Sequence, residues 1–169
     1  REISELDTSE LEAIASEIDA QGIDTIAITS VFSPVSDEME RKAMETMAIK
    51  LPNANFTLSS EIGRLGILER ENAAIMNASL RALSERTVDA FGKALEKVGL
   101  DCPYYITQND GTLMSREFVQ SYPVLTFASG PTNSMRGAAF LSGKSDAIVV
   151  DVGGTTTDVG ALVKGFPRP

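Results

Sequence analysis

Residues 147–162 read AIVVDVGGTTTDVGAL, and the reading of the chain starts there. Ala147-Ile148-Val149-Val150 is a short β-branched apolar run of the kind found in buried strands, and Val159-Gly160-Ala161-Leu162-Val163 is a second. Between them stands Asp151-Val152-Gly153-Gly154-Thr155-Thr156-Thr157-Asp158. Two adjacent glycines can adopt φ > 0 and make a tight reversal, and they leave no side chain between the backbone N–H groups and an approaching ligand. Three threonines add hydroxyls, and a carboxylate closes each end. Backbone amides with hydroxyls suit phosphate oxygens, and a carboxylate at a strand end suits a hydrated Mg²⁺ held by those phosphates. The stretch is therefore expected to be a phosphate-binding β-hairpin, with an ordinary Gly-Gly hairpin turn as the plain alternative. It is not a Walker A loop, since no Gly-Lys-Ser/Thr follows, nor a dinucleotide fingerprint, since a strand follows the glycines instead of a helix.

Working outward, composition limits the chemistry. The 169 residues carry a net charge of −9 without a Lys/Arg cluster, which argues against nucleic acid or an acidic membrane as the main partner. No long apolar run suggests a membrane span, and the start has no signal-peptide pattern. The single cysteine, Cys102, rules out an internal disulfide framework and a Cys-based zinc site, and reads as a small half-buried residue. There is no histidine, so this segment cannot supply a Ser-His-Asp or Cys-His mechanism or a His-ligated metal. Chemistry here must run on carboxylates, hydroxyls, Lys/Arg, backbone dipoles and a hard metal. The chain starts at Arg1 and stops at Pro169, soon after its most loaded motif, which is expected of an internal segment of a longer polypeptide.

Upstream, Asp7–Glu12 has capping-box spacing and Leu11, Ile14, Ala15 and Ile18 form one apolar helical face ending near Gly22. A buried strand is expected over 23–32, a helix over 37–50 with Met39, Ala43 and Met47 inward, and a short strand over 55–59. A loop over 61–68 precedes a long helix from about 69 to 98, with Leu80, Leu83, Thr87, Phe91, Leu95 and Val98 as its packed face. At its start, Arg70 or Asn72 either belongs to a solvated first turn or points into a cleft. A strand over 104–108 runs into the turn Asn109-Asp110-Gly111, where Asp110 is either plain turn chemistry or the mouth of a site. A short helix over 115–122 and a strand over 124–128 follow. Ser129-Gly130-Pro131 then turns into a helix of small residues, with Thr132 or Asn133 as N-cap. The alternation of strands and helices implies an α/β layered domain with a largely parallel sheet and a closing antiparallel hairpin.

Four stretches carry a family resemblance: GILERENAAIMNASL (66–80), ITQNDGTLMS (106–115), PVLTFASGPTNSMRGAAFLSG (123–143) and DAIVVDVGGTTTDVGALVKGFPRP (146–169). Together they resemble the hydantoinase A/oxoprolinase family, within the actin/Hsp70/sugar-kinase ATPase superfamily, over about 23–169. The resemblance implies a ribonuclease H-like, actin-like ATPase fragment. Residues 1–145 would be the remainder of the first lobe, ending in the hinge helix at about 132–142, and 146–169 the start of the second lobe with its phosphate hairpin. It implies ATP and Mg²⁺, an ATP-dependent hydrolase opening a cyclic amide of hydantoin or 5-oxoproline type, a cytoplasmic location and a second subunit in a hetero-oligomer. The family's second phosphate motif falls on Asp151, Gly153, Gly154, Thr155, Thr156, Thr157 and Asp158, and its Ser-Gly-Pro turn on Gly130, Pro131 and Asn133. The implied roles are Gly153 and Gly154 amides with Thr155 and Thr156 on phosphates, and Asp151 on Mg²⁺ through water or orienting the attacking water. Asp158 is either catalytic or a brace of the hairpin, and Asp110 and Arg136 are substrate- or phosphate-side candidates. The family's first phosphate hairpin would precede Arg1 and its adenosine half would follow Pro169, so the segment alone is expected to bind ATP weakly and to be inactive. Pro-Thr-Asn-Ser-Met-Arg stands where the family more often has Pro-Ala-Gly. A small-molecule kinase and a non-catalytic ATP-binding scaffold of the same superfamily are the alternatives.

Overall fold

The computed structural model describes residues 5–63 and 65–168. It divides into two compact units, Arg1–Ala82 and Leu83–Pro169. Arg64, within the loop expected at 61–68, lies outside the described residues, as does the terminal Pro169.

In the first unit, helix α1 (Thr8–Ala20) begins where Asp7 accepts the backbone N–H groups of Ser9 and Glu10. It ends in a Schellman arrangement: Ile23 N–H bonds the Ile18 carbonyl, Gly22 N–H bonds the Asp19 carbonyl, and Gly22 has φ 67°. Strand β1 is Thr25–Ile28, shorter than the expected 23–32 because residues 31–35 form a turn. Helix α2 (Glu38–Ala48) and strand β2 (Asn55–Leu58) follow, with β2 parallel to β1. A single-turn helix α3 (Ser59–Ile62) leads to the long helix α4 (Ile67–Lys97). Ala15, Ile26, Met47 and Leu51 form the core, with Leu11, Ile18, Ile28 and Phe56 around it.

Two faces differ from the sequence expectation. On α2 the buried positions are Glu40, Ala43 and Met47, with Met39 only half-buried. On α4 the buried positions are Arg70, Ala74, Asn77, Ala78 and Val88, whereas Leu83, Thr87 and Phe91 are exposed, as is Val98 just past its end. The packed stripe still keeps helical spacing, but small and polar residues make it up, so an apolar periodicity points to the wrong side.

In the second unit, α4 ends at Lys97 with Gly99 (φ 75°) in a second Schellman arrangement, Leu100 N–H to the Leu95 carbonyl. Strands β3 (Ile106–Thr107) and β4 (Leu113–Met114) form a minimal hairpin around the Asn109-Asp110-Gly111 turn. Helix α5 (Arg116–Ser121) is capped by Ser115, whose hydroxyl accepts Phe118 N–H. Residues Pro123–Thr126 form a 3₁₀ turn, not the expected strand. Helix α6 (Ser129–Ser142) has its N-cap four or five residues earlier than the expected Thr132 or Asn133: Ala128, in the left-handed region at φ 59°, occupies that position. Strands β5 (Ala147–Val152), β6 (Thr157–Val163) and β7 (Phe166–Arg168) make a three-stranded antiparallel sheet. Lys164 (φ 53°) and Gly165 (φ 78°) supply the two positive φ values of a type I′ reversal between β6 and β7. Val88, Met114 and Val119 form this unit's core, packed by Tyr104, Ile106 and Leu125.

The chain is α/β, but its described strands form three separate small sheets, two of two strands and one of three, where one mixed layer was expected. Among the described residues no helix is long and apolar enough to cross a membrane. Cys102 is exposed, not half-buried.

Candidate functional site

The hairpin forms where its β-branched runs require it. The register pairs Ile148 with Ala161, Val150 with Val159 and Val152 with Thr157 on one face. Val149–Gly160 and Asp151–Asp158 pair on the other. The second face looks toward α6, and Leu162 is buried there. The first face is open, with Ile148 70% and Val152 74% exposed. The runs are thus strands, but half-exposed ones, because α6 covers a single side.

Close packing holds α6 in place. A Cβ at Gly160 would collide with the Met135 sulfur, so the side chain of Met135 occupies the space that any larger residue would need. Arg136 donates to the Gly165 carbonyl at 2.6 Å and lies over the Phe166 ring, which ties α6 to the β6–β7 turn. Thr132 donates to the Asn109 carbonyl at 2.7 Å. Thr132 is therefore a brace to the β3–β4 turn and not a helix cap. At Gly111 (φ 87°) a Cβ would sit 3.1 Å from Thr132 Cγ2 and 3.3 Å from Pro167 Cδ.

The turn itself is Gly153–Thr156. Gly153 N–H donates to the Thr156 carbonyl at 2.9 Å, so this amide, expected to face a ligand, is used inside the bend. Neither Gly153 nor Gly154 takes a left-handed φ. Glycine at 153 instead fits the close approach of that carbonyl, 3.2 Å from where a Cβ would stand. Around Gly154 nothing lies within 4 Å of a Cβ position, and its N–H has no partner among the described residues. Residues 151–159 are all exposed, and the hydroxyls of Thr155, Thr156 and Thr157 make no hydrogen bond to a described residue. The tip is bare.

Asp151 and Asp158 are direct cross-strand partners, and no described Lys or Arg pairs with either. Like charges placed directly opposite repel. Together with Pro131, Ser134, Met135, Val149, Val159 and Gly160 they line one small cleft between α6 and the hairpin. The structure thus brings both expected carboxylates to the side of the turn. Gly130 and Asn133 are exposed on α6 but do not line this cleft. Asp110 is occupied locally: it accepts the backbone N–H and hydroxyl of Thr112, which holds its carboxyl below the ordinary range. Arg136, as described, is bound to the β6–β7 turn. Neither faces the cleft.

The donor set fits a hydrated hard cation beside phosphate. Two carboxylates and free threonine hydroxyls are all oxygen ligands, and Mg²⁺ is commonly held by one or two carboxylates plus water and substrate phosphates. Among the described residues no group of three or more Asp, Glu, Cys or His converges to cage a metal by itself.

Sequence reasoning missed two features. Ser134 is in the cleft, with only its position in the helix after Ser-Gly-Pro as a clue. In the first unit, Glu40, Ser59 and Arg70 are wholly buried and linked. Arg70 also donates to the carbonyls of Ser30, Val31 and Leu65, so it is neither a solvated first-turn residue nor a cleft residue.

Residues 70–168 match the family described as Hydantoinase/oxoprolinase, and residues 1–50 match its N-terminal region. The alpha subunit of caprolactamase from Pseudomonas jessenii is 25% identical over 168 residues, 97% of this chain and 24% of that protein. The crystal structure of ATP-dependent caprolactamase from Pseudomonas jessenii has TM-score 0.78 at 24% identity, over 95% of this chain and 24% of that one. A nucleotide-free acetone carboxylase has TM-score 0.74 at 20% identity, over 96% of this chain and 24% of that one. The chain thus spans about a quarter of the length of these relatives.

Proposed function

The chain belongs to the hydantoinase/oxoprolinase family, and from that premise we propose that it is part of an ATP-dependent hydrolase that opens a cyclic amide after phosphate activation. The observation that carries this reading is the opposed, uncompensated pair Asp151 and Asp158 beside a bare glycine–threonine turn. In it, the Gly154 amide and the hydroxyls of Thr155 and Thr156 hold phosphate oxygens. Asp151, with Asp158 opposite, holds the water shell of Mg²⁺. Thr157 stands at the base of the turn as a further hydroxyl. Gly130 and Asn133 belong to the first turns of α6, whose N-terminal dipole favours negative charge nearby. ATP, when bound, would give its γ-phosphoryl group to the amide oxygen, so that water adds to the ring carbon, the C–N bond breaks to free the amine, and hydrolysis of the remaining acyl phosphate releases phosphate; Mg²⁺ would neutralise charge on the phosphates. The chain's own contribution is positioning: the hairpin fixes the donors, and α6 fixes the hairpin.

The same reading makes 1–145 the remainder of a first actin-like lobe and 146–169 the start of a second. The ribonuclease H-like layering is completed in the full-length protein, a cytoplasmic enzyme working with a second subunit. The relative named as a subunit alpha supports the last point.

The test is Asp151→Asn in the full-length protein, assayed for ATP hydrolysis and lactam or hydantoin opening. Both activities should fall by at least about 100-fold, a loss of about 2.7 kcal/mol or more of transition-state stabilisation. Unchanged turnover overturns the reading. Retained partner activity without ATP turnover in the wild type identifies a scaffold.

A further inference from the structure

We infer that the open face of the β5–β6–β7 sheet is an internal interface of the full-length protein, covered by an amphipathic helix of the same chain from outside residues 1–169. The apolar side of that helix lies on Ile148, Val150, Val152 and Val159. The inference does not depend on the nucleotide reading of the turn. Three observations carry it. The open face is made by Ile148, Val150 and Val152 of β5 and by Thr157, Val159 and Ala161 of β6. Its four largest side chains are each at least 55% exposed. The polarity of the hairpin is also the reverse of what solvent requires. Both charges of its two strands, Asp151 and Asp158, stand on the side that α6 covers, and the uncovered side carries none. An antiparallel sheet with one wet face turns its polar residues outward, whereas strands apolar on both sides belong to sheets covered on both. Finally, β5 is an edge strand of six residues whose one charge is Asp151. Edges that stay in water are normally short, charged or interrupted by proline.

The occupant follows from the layering and from the length of the relatives. A sheet that already carries a helix on one face is completed by a helix on the other. The part of each relative that this chain spans is 24%, so most of each relative lies outside it and can supply that helix. A second copy fits less well, since it brings a further net charge of −9 against the first. A partner that joins later fits less well too. An uncharged β-branched face left open in the free subunit invites aggregation, so its cover is made with the chain.

The experiment places a photo-crosslinker in the full-length protein as Ile148→p-benzoylphenylalanine. After irradiation the product is sized on a denaturing gel and its cross-linked peptide is identified by mass spectrometry. The expected product has the mass of one chain, with the cross-link to a peptide of that chain outside residues 1–169. A cross-link to a second copy, to another polypeptide or to a peptide within 1–169 overturns the inference. Because the bulky side chain can disturb folding, the smaller V159C is labelled with a maleimide in parallel, with T155C at the bare tip as reference. V159C is expected to react at least about tenfold more slowly than T155C, as access then needs local opening. Equal rates overturn the inference. So does protection that is lost on about 100-fold dilution, since a cover belonging to the same chain does not obey mass action.

Discussion

The Ser59 hydroxyl joins Glu40 to Arg70: it donates to Glu40 Oε1 at 2.5 Å and accepts Arg70 Nε at 2.9 Å. With that proton committed to Glu40, Ser33, 3.3 Å away, is the donor to Ser59. Glu40 also accepts the N–H groups of Ser30 and Ser60. The two charged side chains therefore fasten both segments that follow the parallel strands, Ser30 and Val31 after β1 and Ser59, Ser60 and Leu65 after β2. The carboxyl ends of parallel strands are where α/β folds build their ligand loops.

Removing the carboxylate should be costly. Glu40→Ala strands the Ser59 hydroxyl and two backbone N–H groups, and is expected to lose about 3 kcal/mol, from the penalty of leaving buried donors unsatisfied. Glu40→Gln keeps an acceptor and should lose roughly 1–2 kcal/mol. Urea unfolding followed by circular dichroism measures both, and equal stability of the three proteins would show that the cluster is not a buried anchor.

Acid should reveal the same group. Burial pushes the Glu40 carboxyl upward, but the Ser59 hydroxyl and the Ser60 and Ser30 amides outweigh it and hold the group below its ordinary 4.5. A depressed folded value contributes stability that is fully present above the unfolded value. That contribution is lost as pH falls through the folded one. The stability gap between wild type and Glu40→Gln is thus expected to narrow below about pH 4.5 and to stay constant above it. Denaturant midpoints taken from about pH 6 down to about pH 3 decide this.

These particulars also show what the sequence could convey. Gly22 and Gly99 announced two helix ends, Asp7 a helix start, and Gly153-Gly154 between β-branched runs a hairpin, because each signal acts within a few residues. Glu40 was illegible because its partners come from 10 and about 20 positions away, and an isolated glutamate on an amphipathic helix looks solvated. Val124–Ala128 has strand composition, yet Pro123 and the following turn draw it into a 3₁₀ bend. At the site, the sequence put Asp151 and Asp158 at the two ends of the turn, but their direct opposition follows from the four-residue bend 153–156, a register that alternation alone does not fix. The neighbours on α6 could not be placed either, because they depend on how a helix packs over Gly160.

That packing can be tested directly. Gly160→Val should destabilise by about 2 kcal/mol, since its side chain collides with Met135. Met135→Ala should recover part of that loss, giving a coupling of at least about 0.5 kcal/mol in a double-mutant cycle of thermal melts. Strict additivity would mean that helix and strand are not in contact there.

Gly154→Ala separates folding from ligand contact. The position is open and its φ is not left-handed, so stability should change by less than about 0.5 kcal/mol. In the full-length protein the added methyl group is expected to weaken ATP binding about tenfold by calorimetry, as it stands between the amide and the phosphate. Unaltered affinity would remove the turn from the nucleotide site.

The bond from Gly153 to the Thr156 carbonyl has a further consequence. The bend is shaped by the chain's own amide, so on the proposed reading an arriving nucleotide would meet a turn already formed and order little backbone on contact. A response to occupancy would then begin at the exposed threonine and carboxylate side chains and pass to the helix packed against β6.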